Sequence, residues 1–360
     1  MKIFETFNLS GLNLSSRIVM APLTRRRATD YNVPVPMMAE YYGQRAGAGL
    51  IIAEGTSPSQ NGVGYCNMPA LYNLEHAKAW KKTTDQVHEL GGKIFLQVMH
   101  TGRVGHKSNL PGTGKVLAPS AIAQKGEIGT YKEGKQPYTL PKEMSLPEIL
   151  HSIDEFVNCA KLSMEAGFDG IEIHGAHGYL PNQFLNKSSN IRTDIYGGST
   201  ENRMRFMLQV LSQCCDAIGS NRVGLRISPY SYADMAEDLT EVSEVFTELT
   251  MKLNSMHLAY VHLSHMGEPN PLKFELWKQI REIYTGTLIL CGDFTKESAE
   301  TAIGDGAADL IAFGRDFISN ADLVNRFKEN WPLNDRDRTH WYTSGSKSYT
   351  SYYNYDNSKL

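Results

Sequence analysis

The sequence predicts a (β/α)8 TIM barrel, on three observations. Short β-rich apolar runs alternate with amphipathic helical patterns down nearly the whole 360 residues. Strand–helix alternation of this kind builds a parallel sheet. Eight such units close into a barrel where fewer would leave an open doubly wound sheet. A chain this long exceeds the size at which single cores usually divide, but α/β barrels reach it as one domain. The expectation is a single domain over 1–360.

The strand runs are RIVMAP (17–22), LIIAEGT (50–56), KIFLQVMH (93–100), GIEIHGA (170–176), VGLRISP (223–229), AYVHLSH (259–265), TLILCGDF (287–294) and DLIAFGRDF (309–317). Between them lie patterns such as 74–91, 149–167 and 241–256, whose apolar residues recur at steps of three and four, the helical period. Three segments depart from the repeat. FETFNLSGLNLSSR reads as an N-terminal hairpin that plugs the barrel bottom. The Gly/Pro/Lys-rich stretch 101–147, after the third run, is too long for an ordinary βα loop and predicts a capping insertion over the mouth. The Tyr/Ser-rich tail HWYTSGSKSYTSYYNYDN leaves two readings open, disorder or a return of its early aromatics over the site.

Composition excludes several classes. With 41% hydrophobic and 21% charged residues, the chain reads as an ordinary globular protein. A net charge of −3 gives no general attraction to nucleic acid or anionic membrane. No apolar run is long enough to span a bilayer, and MKIFETFNLSGLN lacks the apolar core of a secretory signal, so the expected location is cytoplasmic. Five scattered cysteines without a C-x-x-C pair read as reduced thiols, and Cys214 and Cys215 as buried, inert ones. GAG at 47–49 precedes a strand, so it is no dinucleotide fingerprint; GTGK at 112–115 lacks the rest of a P-loop.

Active sites in this architecture sit where strands end and βα loops begin. Those positions carry Thr24, Glu54 and Gly55, Gln97 and His100, His174 and His177, Arg226, His265, Gly292 and Asp293, and Gly314 and Arg315. The last two strands end in glycine before a helix, which admits a phosphate close to the backbone, and Arg315 adds a bidentate clamp. The bland alternative is that these glycines only form tight turns. Arg226 falls on the inward face of its run, where a guanidinium needs a negative partner. Glu172 on the neighbouring run or an anionic cofactor above it would serve. Gln97 and Thr24 suit an amide-rich heterocycle better than a metal. His174 and His177 admit three readings: metal ligands, structural histidines, or donors to a substrate oxygen. The absence of converging further ligands argues against metal. Imidazole N–H groups can hold charge that develops on an oxygen, and Tyr179, with a reference pKa of about 10, is protonated at neutral pH and can donate.

APLTRRRA (21–28), FLQVMHTGR (95–103), HGAHGYLPNQFLNKSSNIRTDIYGGSTENRMRF (174–206), VGLRISP and AFGRDFISNADLV (312–324) together resemble the Old Yellow Enzyme family, FMN-dependent ene-reductases on a (β/α)8 barrel. The paired histidines are most similar to its N-ethylmaleimide and pentaerythritol tetranitrate reductase-like branch. The resemblance implies non-covalent FMN and NAD(P)H as reductant. It places Pro22, Thr24, Gly55, Gln97 and Arg226 around the flavin ring, and Gly292, Asp293, Gly314 and Arg315 around its phosphate. His174 and His177 would grip the activating oxygen of an electron-poor alkene. Tyr179 would donate the proton, and Tyr65, Met99 and Tyr342 would border the substrate. The implied reaction is ping-pong, with hydride passing from flavin N5 to the β-carbon of an enone, maleimide or nitro compound. A small-molecule substrate, and a chain acting as monomer or homodimer, complete the expectation.

This chain departs from the family pattern at three places. Met99 stands where many relatives carry Trp, Asp293 puts a carboxylate near the phosphate unless its side chain turns away, and the tail lacks the usual Asp-Tyr-Pro. The rival readings are a non-redox phosphate-binding barrel, an aldolase or isomerase, which lacks a strand-end lysine here, and a non-catalytic flavin-binding barrel, which would not need Tyr179. The 2,4-dienoyl-CoA reductase type would need iron–sulfur cysteines that are missing.

Overall fold

The computed structural model describes residues 1–230, 239–265, 271–343, 345–352 and 355, and of these the side chains of all but 239 and 271–273. The tail's final residues, part of the Tyr/Ser-rich stretch, lie outside the described ones.

The chain opens with a hairpin, β1 (Phe7–Leu9) paired antiparallel with β2 (Leu12–Leu14), as its alternating pattern predicts. The barrel then begins with β3 (Ile18–Met20), α1 (Pro36–Gly43), β4 (Leu50–Thr56), α2 (Leu74–Glu89) and β5 (Ile94–Val98). The insertion contributes β6 (Leu117–Ala118), β7 (Glu127–Thr130), β8 (Gly134–Pro137) and β9 (Lys142–Glu143). After α3 (Leu146–Glu165) come β10 (Gly170–His174), α4 (Leu180–Leu185), α5 (Thr200–Ile218), β11 (Val223–Ile227), α6 (Leu239–Asn254) and β12 (Tyr260–Ser264). The last part is α7 (Pro271–Ile283), β13 (Leu288–Cys291), α8 (Lys296–Gly304), β14 (Leu310–Phe313), α9 (Arg315–Ser319) and α10 (Leu323–Glu329).

The barrel strands run β10–β11–β12–β13–β14–β3–β4–β5 and close, every pair parallel. Strands covered on both faces carry continuous apolar runs, and β4 is buried at every position. Helices cover the barrel from outside, and α3 packs against β5 and β10. There Ser145 accepts from the Glu148 N–H and Glu148 reaches back to the Ser145 N–H, satisfying two free donors of the first turn. Ile149, Ile153, Phe156 and Ala160 of α3 then fall on one buried stripe.

The barrel interior is filled from below by the hairpin. Leu9 and Leu14 pack with Val19, Leu50, Ile52, Phe95, Tyr260, Ile289 and Leu310. Burying a leucine this fully stabilises by roughly 1.5–3 kcal/mol, enough to hold a short hairpin that would not persist alone.

Strand register then sets the mouth. Glu172 lies level with Gln97, His174 with Arg226, Arg226 with His262, and Ser264 with Cys291. Polar side chains from adjacent strands therefore converge just above the apolar fill. The insertion grips the loop after β4. Asn109 Nδ2 donates to the Gly64 and Gly129 carbonyls, and Tyr131 Oη accepts from the Asn67 N–H at 2.7 Å. The tail folds back instead of remaining loose. Arg27 donates to the His340 and Trp341 carbonyls, Arg25 to those of Trp341 and Ser348, and Tyr349 stacks on Tyr41 with centroids 4.0 Å apart.

Candidate active site

One cavity of about 710 Å³ opens at the C-terminal mouth of the barrel. Its volume is in the range of small-molecule and cofactor sites. It gathers Pro22, Thr24, Tyr65, Gln97, Met99, His174, His177, Tyr179, Arg226, Gly292, Asp293, Gly314, Arg315 and Tyr342, nearly the whole set read from the sequence. Gly55 is not among the lining residues. A Cβ built on it would lie 2.5 Å from Met99 Cε, so this glycine exists to let Met99 lie flat against β4.

His174 ends β10. Its Nδ1 accepts from the Ala176 N–H at 3.3 Å, which puts the ring proton on Nε2. His177 has φ +55 and Gly178 φ +77, and this left-handed turn brings the second ring back beside the first, with centroids 5.4 Å apart. Ser228 Oγ accepts the His177 N–H at 2.8 Å, and Ser264 Oγ lies 2.7 Å from His177 Nε2. Burial, then the nearby Arg226, hold both imidazoles well below the usual histidine range, so both are neutral at physiological pH. A neutral pair offers N–H donors without a second and third buried positive charge. Tyr179 follows at the N-cap of α4, its ring edge-on to His174 at 4.7 Å and its hydroxyl 3.0 Å from that of Tyr65. The loop behind is held by side chains from the same motif. Gln183 donates to the Gly178 and Thr101 carbonyls, and Asn190 to those of Phe184 and Tyr196.

Below this pair the structure departs from one expectation. Glu172 is not the partner of Arg226. Its carboxylate accepts from Gln97 Nε2 at 2.7 Å and lies 2.8 Å from His262 Nδ1. Burial alone would lower His262, but Glu172 outweighs it and raises the imidazole. Among the described residues, the Arg226 guanidinium, 5% exposed, has only the Cys291 thiol at 3.6 Å, and its Nε has no partner. An uncompensated buried cation beside a cavity points to an anionic ligand.

That observation tests whether the residues fit a flavin mononucleotide, and they do. Gln97 commits its amide nitrogen to Glu172, so it presents a carbonyl oxygen to a ligand N–H. At the far end, a Cβ added at Gly292 or Gly314 would meet no protein atom closer than 3.9 and 3.4 Å respectively, so it would fill the cavity itself. These glycines keep a cradle open where packing does not demand glycine. Arg315 and Asp293 flank it. The Asp293 side chain is 86% exposed and lies 3.9 Å from Arg315, turned outward as a carboxylate near phosphate must be.

Further lining residues escape the strand-end reading of the sequence: Arg26, Cys291, Phe294, Arg336, Arg338 and Trp341. Three of them come from the returning tail, and only the basic and aromatic density of 336–342 hinted at it. Ser228 and Ser264, which orient His177, carried no signal because strand-end serines are common. Among the described residues, no group of three or more His, Cys, Asp and Glu is placed to hold a metal ion.

A barrel mouth that joins a phosphate cradle, an unneutralised arginine and neutral proton donors defines a flavin-dependent oxidoreductase. Comparison with known proteins agrees. The model of the NADH:flavin oxidoreductase / NADH oxidase family matches residues 2–334. The chain is 40% identical to a probable flavin mononucleotide-dependent alkene reductase of Leishmania infantum, over 96% of this chain and 95% of that one. It is 37% identical to 12-oxophytodienoate reductase 2 of Arabidopsis thaliana, over 97% and 95%. Among solved structures, morphinone reductase in complex with tetrahydroNAD superposes with a TM-score of 0.94 at 36% identity, covering 100% of this chain and 99% of that one. The old yellow enzyme homologue from Zymomonas mobilis gives 0.92 at 37%, covering 98% and 99%. The chain belongs to this family, the Old Yellow Enzyme family of FMN-dependent alkene reductases. It is an oxidoreductase that uses FMN and a nicotinamide reductant. The non-redox alternative is left without support.

Proposed function

We propose that the chain reduces the activated C=C bond of enones and maleimides, and also takes nitro compounds and nitrate esters, with Tyr179 as proton donor. The observation that carries this reading is the convergence of two neutral imidazoles and the Tyr179 hydroxyl in the cavity that also holds the flavin-fitting residues. Bound FMN would supply the hydride transfer from NAD(P)H to the alkene that the side chains lack. His174 and His177 hold the carbonyl or nitro oxygen and stabilise the negative charge that grows on it. Tyr179 Oη then delivers a proton to the α-carbon, and Tyr65, in hydrogen-bond reach, orients that hydroxyl. Arg226 would hold negative charge on the cofactor. Pro22, Thr24 and Gln97 would seat the ring, Gly55 supports the Met99 wall, and the backbone of Gly292 and Asp293, with Gly314 and Arg315, would hold the phosphate. Met99 and Tyr342 border the substrate.

The same reading has the chain work as one unit over 1–360, with 101–147 capping the mouth, in the cytoplasm, as monomer or homodimer. The net charge of −3 argues against a nucleic-acid partner, and no helix among the described residues is long and apolar enough to cross a membrane. Purified protein is expected to be yellow, to bleach anaerobically with NADPH, and to regain colour on adding an enone. In stopped flow, Tyr179→Phe should slow the oxidative half-reaction with an enone by about 10²–10⁴-fold while leaving the reductive half-reaction intact. Enone reduction at the parent rate would remove Tyr179 as donor.

A further inference from the structure

The cavity holds more positive charge than the flavin accounts for. Of its lining arginines, Arg336 is paired with Asp316 at 2.8 Å and Arg315 lies 3.9 Å from Asp293. Arg226 faces the cofactor, and Arg338 lies over the Trp341 ring at 5.7 Å. Arg26 is different. It lines the same cavity as Tyr65 and Tyr179, and its side chain is held at Cys66, the residue after Tyr65.

Its placement is enforced. The Arg25 and Arg26 N–H groups both donate to the buried carboxylate of Glu54, at 2.9 and 3.3 Å. Arg26 itself takes φ +59, a left-handed conformation that L side chains other than Asn and Asp rarely adopt. The Arg26 Nε then donates to the Cys66 carbonyl at 3.0 Å, beside Tyr65. No ion pair with Arg26 exists among the described residues, and the nearby acids are engaged elsewhere. Asp30 accepts from Asn67 Nδ2 at 2.9 Å, and Glu54 from Tyr42 besides the backbone. Cys66 is no counter-charge, because burial raises its thiol and it donates to Asn109. The Arg26 side chain also meets that neutral thiol, so among the described residues its charge has no counter-ion, and its planar fork matches a carboxylate or phosphate.

We propose that Arg26 anchors an anionic oxygen group, carboxylate or phosphate, on the ligand that enters above the flavin. This rests on the alkene-reductase reading of the cavity and adds a charge preference to it. The anion has two sources, an alkene that carries a carboxylate or the phosphates of the nicotinamide reductant, and the two half-reactions separate them. The oxidative half-reaction is measured with 4-oxopent-2-enoate against its methyl ester. The reductive half-reaction is measured with NADPH against N-benzyl-dihydronicotinamide, which has no phosphate. Arg26→Gln should lower the second-order rate constant for the charged member of one pair at least tenfold more than for its neutral counterpart. Arg26→Lys should recover part of that loss, and added salt should shrink the parent's preference. An equilibrium titration with the unreactive 4-oxopentanoate and its methyl ester, followed by the flavin spectrum, reads the alkene-side contact without turnover. If Arg26→Gln, shown folded by circular dichroism, scales both members of both pairs and both titrations equally, the anchor does not exist. A parent enzyme that bleaches with reductant but is not reoxidised by the methyl ester instead overturns alkene reduction, and the reductive pair and the titrations still decide Arg26.

Discussion

At the scale of single residues, the site is built from groups whose cost to the fold is visible. Arg226 is a buried guanidinium, and the carboxylate of Glu172 on the neighbouring strand is taken by Gln97 and His262. Desolvating such a charge without a partner costs several kcal/mol, which the cofactor offsets when it binds. The same logic explains the neutral histidines: a third cation beside Arg226 would be intolerable, so burial and Arg226 together keep them deprotonated. Arg226→Met should therefore split two quantities that usually move together. The melting temperature of the flavin-free protein should rise, and FMN affinity should weaken at least tenfold, read by thermal melts and by flavin fluorescence titration. A lower melting temperature in the flavin-free variant would mean that Arg226 is structurally satisfied after all.

At the scale of elements, the eight strands were legible because their signal is local and repeated. Each buried strand is a continuous apolar run, and each covering helix carries its own 3.6-residue stripe. The hairpin was legible for the same reason, a period-two pattern around Ser10 and Gly11. The tail was not. Its fold depends on contacts with Arg25, Arg27 and Tyr41 some 300 residues away, and nothing local separates a docked Tyr/Ser-rich segment from a disordered one. Nor does the sequence divide the arginine-rich run after β3, where Arg25 and Arg27 serve the tail and Arg26 lines the cavity. Met99 shows a coupling between elements of the same kind. It is 1% exposed, clusters with Val63 and Met68, and lies in a recess that Gly55 leaves by lacking a Cβ. Met99→Trp replaces a flexible wall by a rigid one on the side of Tyr65 and Tyr179. It should change relative rates and product stereochemistry across a panel of alkenes while FMN affinity changes less than about threefold, well under 1.4 kcal/mol. Unaltered stereochemistry and relative rates would show that Met99 does not shape the substrate wall.

At the scale of the whole molecule, strand-end rules located the mouth residues, because barrel geometry makes sequence position predict side-chain direction. They did not yield the pairing among them, since which charge meets which depends on register across different strands. His100 shows how such pairing governs stability. It ends the run of β5, is fully buried, accepts from the Gly102 N–H through Nδ1 at 3.1 Å, and leaves Nε2 without a partner. Burial pushes its imidazole down from 6.5 to about 3. In the unfolded chain the same ring protonates near pH 6.5. Between those values the unfolded state binds a proton that the fold refuses, so stability falls as pH drops through 6.5 and levels off only below the folded value. Glu172 gives His262 the opposite sign, its contribution being full below 6.5 and lost as pH rises through its raised folded value. The comparison that isolates one group is His100→Gln, which leaves His262 and the carboxylates in place. Whatever its effect at pH 8, the stability of the parent relative to His100→Gln should decline by about 1.4 kcal/mol per pH unit once the pH is well below 6.5. Denaturant melts of both proteins at pH 8, 7, 6, 5 and 4.5 measure that difference. A gap that stays constant across the range would mean that His100 protonates in the fold as readily as in the unfolded chain.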